Sequence, residues 1–138
     1  PGGIERIYFP VTFSEDPGDR TNFYRYVLSR NDTLFTAPQD IELLDDTAIN
    51  GNSYRNEFPT FNYADGDLAS IELWSINRGA FEFFSLLRNQ ATSLGTSAGT
   101  SPASIEGNLR NETNPSQAVL GYFSCYSISE VEIVLEVQ

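Results

Sequence analysis

The chain has 138 residues, of which 19 are acidic and 8 basic for a net charge of −11, with one cysteine and no histidine. A length within about 100–150 residues and an apolar share of 40%, including ten Phe and seven Tyr, describe one folded, soluble domain and exclude a disordered segment. The negative charge repels phosphate backbones and anionic headgroups, which argues against nucleic acid as a partner, and the lone Cys125 excludes an internal disulfide or a thiolate metal centre.

Residues 4–13 are rich in β-branched and aromatic side chains and predict a first strand, stopped by the acidic turn at 14–19. A second strand follows over 23–29, with Tyr24, Tyr26 and Leu28 on one face and Phe23, Arg25 and Val27 on the other. Asn31-Asp32 breaks it. Residues 33–44, interrupted by Pro38, read as an irregular edge strand. A polar loop with an Asn-Gly turn leads to a strand over 54–63, weakened by Pro59, and Asp65-Gly66-Asp67 forms the next turn. Residues 68–76 then alternate, Ala69, Ile71 and Leu73 against Ser70, Glu72 and Trp74.

Asn77 suits the N-cap of a helix running to about Thr92, whose apolar stripe is Ala80, Phe83, Phe84, Leu87 and Ala91, with Phe81 at its border. That stripe has to pack on the sheet. The small polar run 93–100 reads as a flexible connection. Two strands, over 118–127 and 130–137, close the chain, the second alternating Val131, Ile133, Leu135 and Val137 with Glu130, Glu132, Val134 and Glu136. Cys125, between Ser124 and Tyr126 in the first of them, reads as a buried small hydrophobe. The elements add up to a mainly β fold: an antiparallel sandwich of about seven strands with one amphipathic helix inserted before the last two.

No apolar run is long enough to span a bilayer, the first residues lack a signal-peptide layout, and the absence of methionine points to a processed form or an excised domain.

The order of strand, Asn-capped aromatic helix, small-residue loop, then PASIEGNL and AVLGYFSCYSIS resembles the C-terminal region of a family of Bacteroidota outer-membrane lipoproteins. That family is catalogued as domain of unknown function four-two-four-nine. The resemblance rests on Leu73, Ser75, Ile76, Phe81, Pro102, Asn108, Leu120, Gly121 and Phe123. Upstream, Phe13, Asp16, Asn22, Phe23 and Tyr24 carry it in one word, Asp46 and Gly51 in another. It covers most of the chain, and departs from the family in lacking the lipid-bearing cysteine and the preceding β domain. It implies that residues 1–138 form a single sandwich at the C-terminal end of a longer lipoprotein at the outer membrane and cell surface. Membrane contact would come only through an upstream lipid anchor. Partners would be a TonB-dependent outer-membrane receptor or another surface protein, and a small nutrient.

Asp65 and Asp67, with Asn62, offer oxygen ligands for Ca²⁺ but lack the full calcium-loop spacing, so a turn is favoured; the pair Asp45-Asp46 ranks no higher. No metal and no cofactor are expected. A glycosidase would need two carboxylates facing each other across a sugar, which spacing does not show, so no catalytic residue is assigned and an enzyme is not expected. Trp74, Tyr54, Phe58, Phe61 and Tyr63 form the best aromatic grouping, with Trp74, Tyr54 and Tyr63 chosen as ligand-stacking candidates against the competing reading of core packing. Asp32-Thr33-Leu34 and Asp46-Thr47-Ala48 resemble the acceptor words of Bacteroidota protein O-glycosylation, which marks Thr33 and Thr47. The reading favoured is a non-catalytic accessory or binding module of a surface lipoprotein, assisting nutrient capture. The alternative is a structural or adhesive surface β domain with no small-molecule ligand.

Overall fold

The computed structural model describes residues 6–15, 18, 20–93, 105 and 107–136. It contains seven strands: β1 (Val11–Glu15), β2 (Phe23–Arg30), β3 (Thr33–Leu34), β4 (Glu42–Asp45), β5 (Ser53–Glu57), β6 (Leu68–Ile76) and β7 (Ser127–Val134), with one helix, α1 (Arg78–Ser93), before the last of them. All pairings are antiparallel. β1 and β5 form a two-stranded sheet, and the others form a five-stranded sheet in which β3 and β4 both line one side of β2, and β6 and β7 follow on the other.

β2 and β6 are the axis of the larger sheet, pairing residue for residue from Phe23↔Ile76 to Arg30↔Ala69. Because side chains alternate across a strand, this register puts Tyr26, Leu28, Ala69, Ile71 and Leu73 on one face. There they meet Phe58, Phe61 and Tyr63, which follow β5, and the resulting cluster is the core. Its rings meet in tilted or edge-on geometry: Tyr26 and Phe58 have centroids 4.9 Å apart, Phe35 and Phe61 5.1 Å. Chain segment 8–10 extends the smaller sheet beyond β1, through paired backbone bonds between Tyr8 and Tyr63 and one from Phe58 N–H to Pro10 O at 3.1 Å.

The turns follow from local chemistry. Asn31 and Asp32 both take positive φ, 51° and 62°, which makes the two-residue β2–β3 hairpin of the type whose twist matches its strands. Asn31 then fastens that hairpin to the start of β6: its Nδ2 donates to Asp67 Oδ1 at 2.7 Å, and its Oδ1 accepts from Leu68 N–H at 2.8 Å. Asn77 caps α1 through Ala80 N–H at 2.8 Å, and its oxygen also accepts the Tyr122 hydroxyl at 3.1 Å. The helix lies on the other face of the larger sheet, with Phe81 against Phe23 at 5.1 Å and Arg88 reaching Glu42 of β4 at 3.9 Å.

The structure departs from the sequence reading at the chain's end. The helix precedes one strand, not two: residues 118–126 join no ladder, and β7 starts early, at Ser127. Gly121 at φ 134° takes a conformation that interrupts regular pleating. The side chain of Asn108 then supplies Phe123 with both of its backbone partners, Nδ2 donating to the Phe123 carbonyl and Oδ1 accepting the Phe123 N–H, each at 2.7 Å. A side-chain amide thus replaces a strand neighbour. Cys125 is exposed rather than buried, since no ladder carries it into a core. Residues 4–5 of the first predicted strand, 94–100 of the connection and Pro102 lie outside the described residues.

The Asn108 clamp gives a specific expectation. Asn108→Ala should speed amide exchange at Phe123 by roughly tenfold while leaving Leu28 and Tyr26 unchanged, since two exposed hydrogen bonds contribute about 1 kcal/mol or slightly more. Unaltered exchange at Phe123 would mean that the clamp holds nothing in place.

Candidate functional site

The two sheets are unequal, and the functional geometry follows from that. Two strands cannot cover a sheet of five, so the inner faces of β6 and β7 extend beyond β1. Between them lies an open cleft of about 560 Å³. Its floor is Ala69, Ile71 and Leu73 of β6 with Val131 and Ile133 of β7, and its wall is the segment from Tyr8 to Ser14. Val131 and Ile133 are each 58% exposed, although both are large apolar side chains, whereas Phe13 turns away from the cleft toward Arg55. Such a cleft suits an apolar ligand surface.

Polar groups in the cleft are few. Glu130 borders it, but its position opposite Glu72 puts its side chain on the helix side, and Tyr8, Tyr26 and Tyr63 supply phenols. Tyr63 Oη and Thr12 Oγ1, from two residues of this lining, are buried without a hydrogen-bond partner among the described residues. Burial pushes the Tyr63 phenol above its ordinary value, which keeps it a neutral donor.

The structure does not gather Trp74, Tyr54 and Tyr63 into one site. Tyr63 belongs to the core and the cleft. Tyr54 sits on β5 with its hydroxyl 3.3 Å from that of Tyr26, which in turn accepts Asn56 Nδ2 at 2.8 Å. Trp74 lies on the opposite face of the larger sheet, on the helix side. Tyr126 stacks on its ring at 4.2 Å and 13°, the Arg25 guanidinium lies 5.0 Å from its centroid, and its Nε1–H donates to Glu72 at 2.5 Å. Arg25 also sits 4.2 Å over Phe84 of α1. Desolvation there pushes the guanidinium below its ordinary value.

The calcium candidates serve as fasteners. Asp67 accepts Ala64 N–H at 2.8 Å and Asn31 Nδ2 at 2.7 Å, and these donors, the backbone one first, hold its carboxyl below the usual range. Asp65 accepts the Tyr8 hydroxyl at 2.5 Å. Asp46 is fully buried and takes Asn22 N–H at 2.8 Å, which ties the loop after β4 to the start of β2. Thr33 and Thr47 are both exposed, but their words differ: Asp32 and Leu34 are exposed beside Thr33, whereas Asp46 beside Thr47 is buried. Sequence reasoning missed the cleft and its wall. The run Ile7, Phe9, Val11 and Phe13, apolar at alternate positions, forms the outward face of that wall, and Tyr8, Thr12 and Ser14 form its cleft face.

Fold and cleft together define a class: an antiparallel two-sheet domain with a single packed helix and an apolar cleft where the smaller sheet stops short. The chain belongs to the family described as Domain of unknown function (DUF4249), whose model matches residues 5–132. No curated protein and no solved structure matched it.

The tyrosine pair sets an alkaline limit on the fold. Burial first, then the Tyr26 hydroxyl, push the Tyr54 phenol above its ordinary value of 10.0. The unfolded chain therefore loses that proton first, so stability holds below pH 10.0 and falls as pH rises past it. Tyr54→Phe should make this decline shallower when urea midpoints are followed from roughly pH 9 to 11. Identical slopes for variant and parent would show that the pair does not couple to folding.

Proposed function

We propose that this domain is a non-catalytic binding module of a cell-surface lipoprotein, assisting nutrient capture beside a TonB-dependent outer-membrane receptor, and that the cleft between Thr12 and Val131 is its contact site. The observation that carries the reading is the cleft itself: a space of about 560 Å³ with a mostly apolar lining, left open by the mismatch between the sheets. Spare hydroxyls on Tyr63 and Thr12 offer a bound group polar anchors. Family membership supports the surface-lipoprotein setting only through the resemblance drawn above, and the receptor partnership rests on that resemblance alone. Glu130, the carboxylate that borders the cleft, has its side chain on the helix side opposite Glu72, so the described lining holds no facing pair of carboxylates, which favours binding over turnover.

The structural or adhesive reading has an observation of its own. Trp74 has Tyr126 on its ring and Arg25 beside it, and Tyr54 is engaged with Tyr26, so both aromatic candidates already contribute to packing. On that reading the cleft is merely an incompletely covered sheet.

Deleting the gene in its native host should lower uptake of the neighbouring receptor's substrate. A copy carrying Val131→Asp with Ile133→Asp should reach the surface in normal amount yet fail to restore uptake, because both exposed side chains line the cleft without supporting the core. Full uptake in the deletion strain would remove the capture role. Full rescue by the double variant would remove the cleft from it.

A further inference from the structure

We propose that β7 is a docking edge for an extended segment of a partner protein, one whose basic side chains meet Glu130 and Glu132 while apolar side chains fill the open half of the cleft. This deepens the binding-module reading and rests on it for the site, not for the receptor.

The backbone of β7 supplies the first argument. Leu135 N–H bonds to Asp67 O at 2.9 Å. Alternation along the antiparallel β6–β7 pair then turns the amides of Ser129, Val131 and Ile133 toward β6, and those of Ile128, Glu130, Glu132 and Val134 outward. β3 and β4 close the other side of the sheet, whereas all eight residues of β7 are exposed. An edge of this length, whose outward backbone groups find no backbone partner among the described residues, is a template for another strand.

Side chains decide which strand fits. On the cleft side, Val131 and Ile133 are each 58% exposed and invite apolar contact. On the helix side the order is Ile128, Glu130, Glu132, Val134, apolar at both ends and acidic between. Glu130 stands directly opposite Glu72 in the register, a like-charge pairing that costs stability by some tenths of a kcal/mol. Ser70 donates to Glu130 at 3.1 Å and Trp74 to Glu72 at 2.5 Å, but neither donor carries charge. The ion pairs of the described residues lie elsewhere, at Arg55–Glu57, Arg78–Glu82, Arg88–Glu42 and Arg110–Glu112. A strand bringing Arg or Lys between Glu130 and Glu132 supplies the missing countercharge.

The same carboxylates reject the alternatives. A second copy pairing through β7 would set Glu130 and Glu132 against their own counterparts, between chains that each carry −11. A small apolar molecule could fill the cleft but would leave the outward amides unpaired. A basic, alternately apolar segment satisfies backbone, charge and cleft together.

The test uses a synthetic peptide as long as β7, with arginines set to meet Glu130 and Glu132 and valines on the other face, and a twin with glutamates in place of the arginines. The arginine peptide should protect the amides of Ile128, Glu130, Glu132 and Val134 from exchange, and bind at least about tenfold more tightly than the twin at low salt, a margin that shrinks as salt rises. Glu130→Lys with Glu132→Lys should reverse the preference. Glu132→Pro should abolish binding by either peptide while Ser129, Val131 and Ile133 keep their protection, because it removes one outward N–H and spares the β6 ladder. Equal binding of the two peptides, protection confined to the cleft, or concentration-dependent dimerisation through β7 would each overturn the proposal. Its failure leaves the uptake experiment standing. A failed uptake experiment beside successful peptide docking would remove only the nutrient-capture reading.

Discussion

The β2–β6 ladder organises everything else in this fold. Both of its strands are interior to the larger sheet, and its register decides which side chains go to which face. A slip of β2 by one residue would send Tyr26 and Leu28 to the helix side and bring Arg25 and Val27 into the aromatic core. Losing the burial of Leu28 alone would cost about 2–5 kcal/mol if it were truncated, so a slip that exposes several such side chains is prohibitive. The ladder is pinned at its Arg30–Ala69 end by Asn31, which joins the hairpin turn to both Asp67 and Leu68.

The helix face shows how the fold handles charge close to its interior. Arg25 is held between Trp74 and Phe84 at 5.0 and 4.2 Å from their ring centroids, with its Nε buried and unpartnered. A guanidinium tolerates this because it is weakly hydrated and its flat face stacks on aromatic rings, each contact returning about 0.5–2 kcal/mol against desolvation. Trp74 completes the arrangement by giving its N–H to Glu72. A residue that looks available for a ligand in the sequence is thereby the junction of sheet, helix and the segment before β7.

Much of this was legible beforehand, and the reasons differ by element. Residues 68–76 alternate so strictly that the predicted strand and β6 coincide, and Asn77 caps α1 where its side chain and the following periodicity place it. The turns at Asn31-Asp32 and Asp65-Gly66-Asp67 follow from residues that accept positive φ or donors in the loop. By contrast 118–126 has the composition of a strand but no neighbour to pair with, because Asn108 takes up the backbone groups of Phe123. Composition reports what a segment would do in a ladder, not whether the ladder exists. The grouping of Trp74 with Tyr54 and Tyr63 failed to form one site for a related reason: nearness in sequence does not fix the face, and Trp74 has the opposite parity to Leu73. The cleft was beyond reach since it depends on how far β1 extends over β7, residues more than a hundred positions apart.

An uncovered edge with Val131, Ile133 and Val134 exposed ought to be a hazard, for unpaired strands recruit one another. All eight basic residues of the chain are arginines and none lies on β7, so the lysine guard common on such edges is absent. Glu130 and Glu132 serve in its place. They sit between Ile128 and Val134 on one face, where a second copy would have to bring its own carboxylates against them. Repulsion of this kind discourages aggregation without closing the edge. It also gives the edge a preference that an apolar strand guarded by lysines would not have, because the charge that excludes a copy of this chain is the one that attracts a basic segment of another.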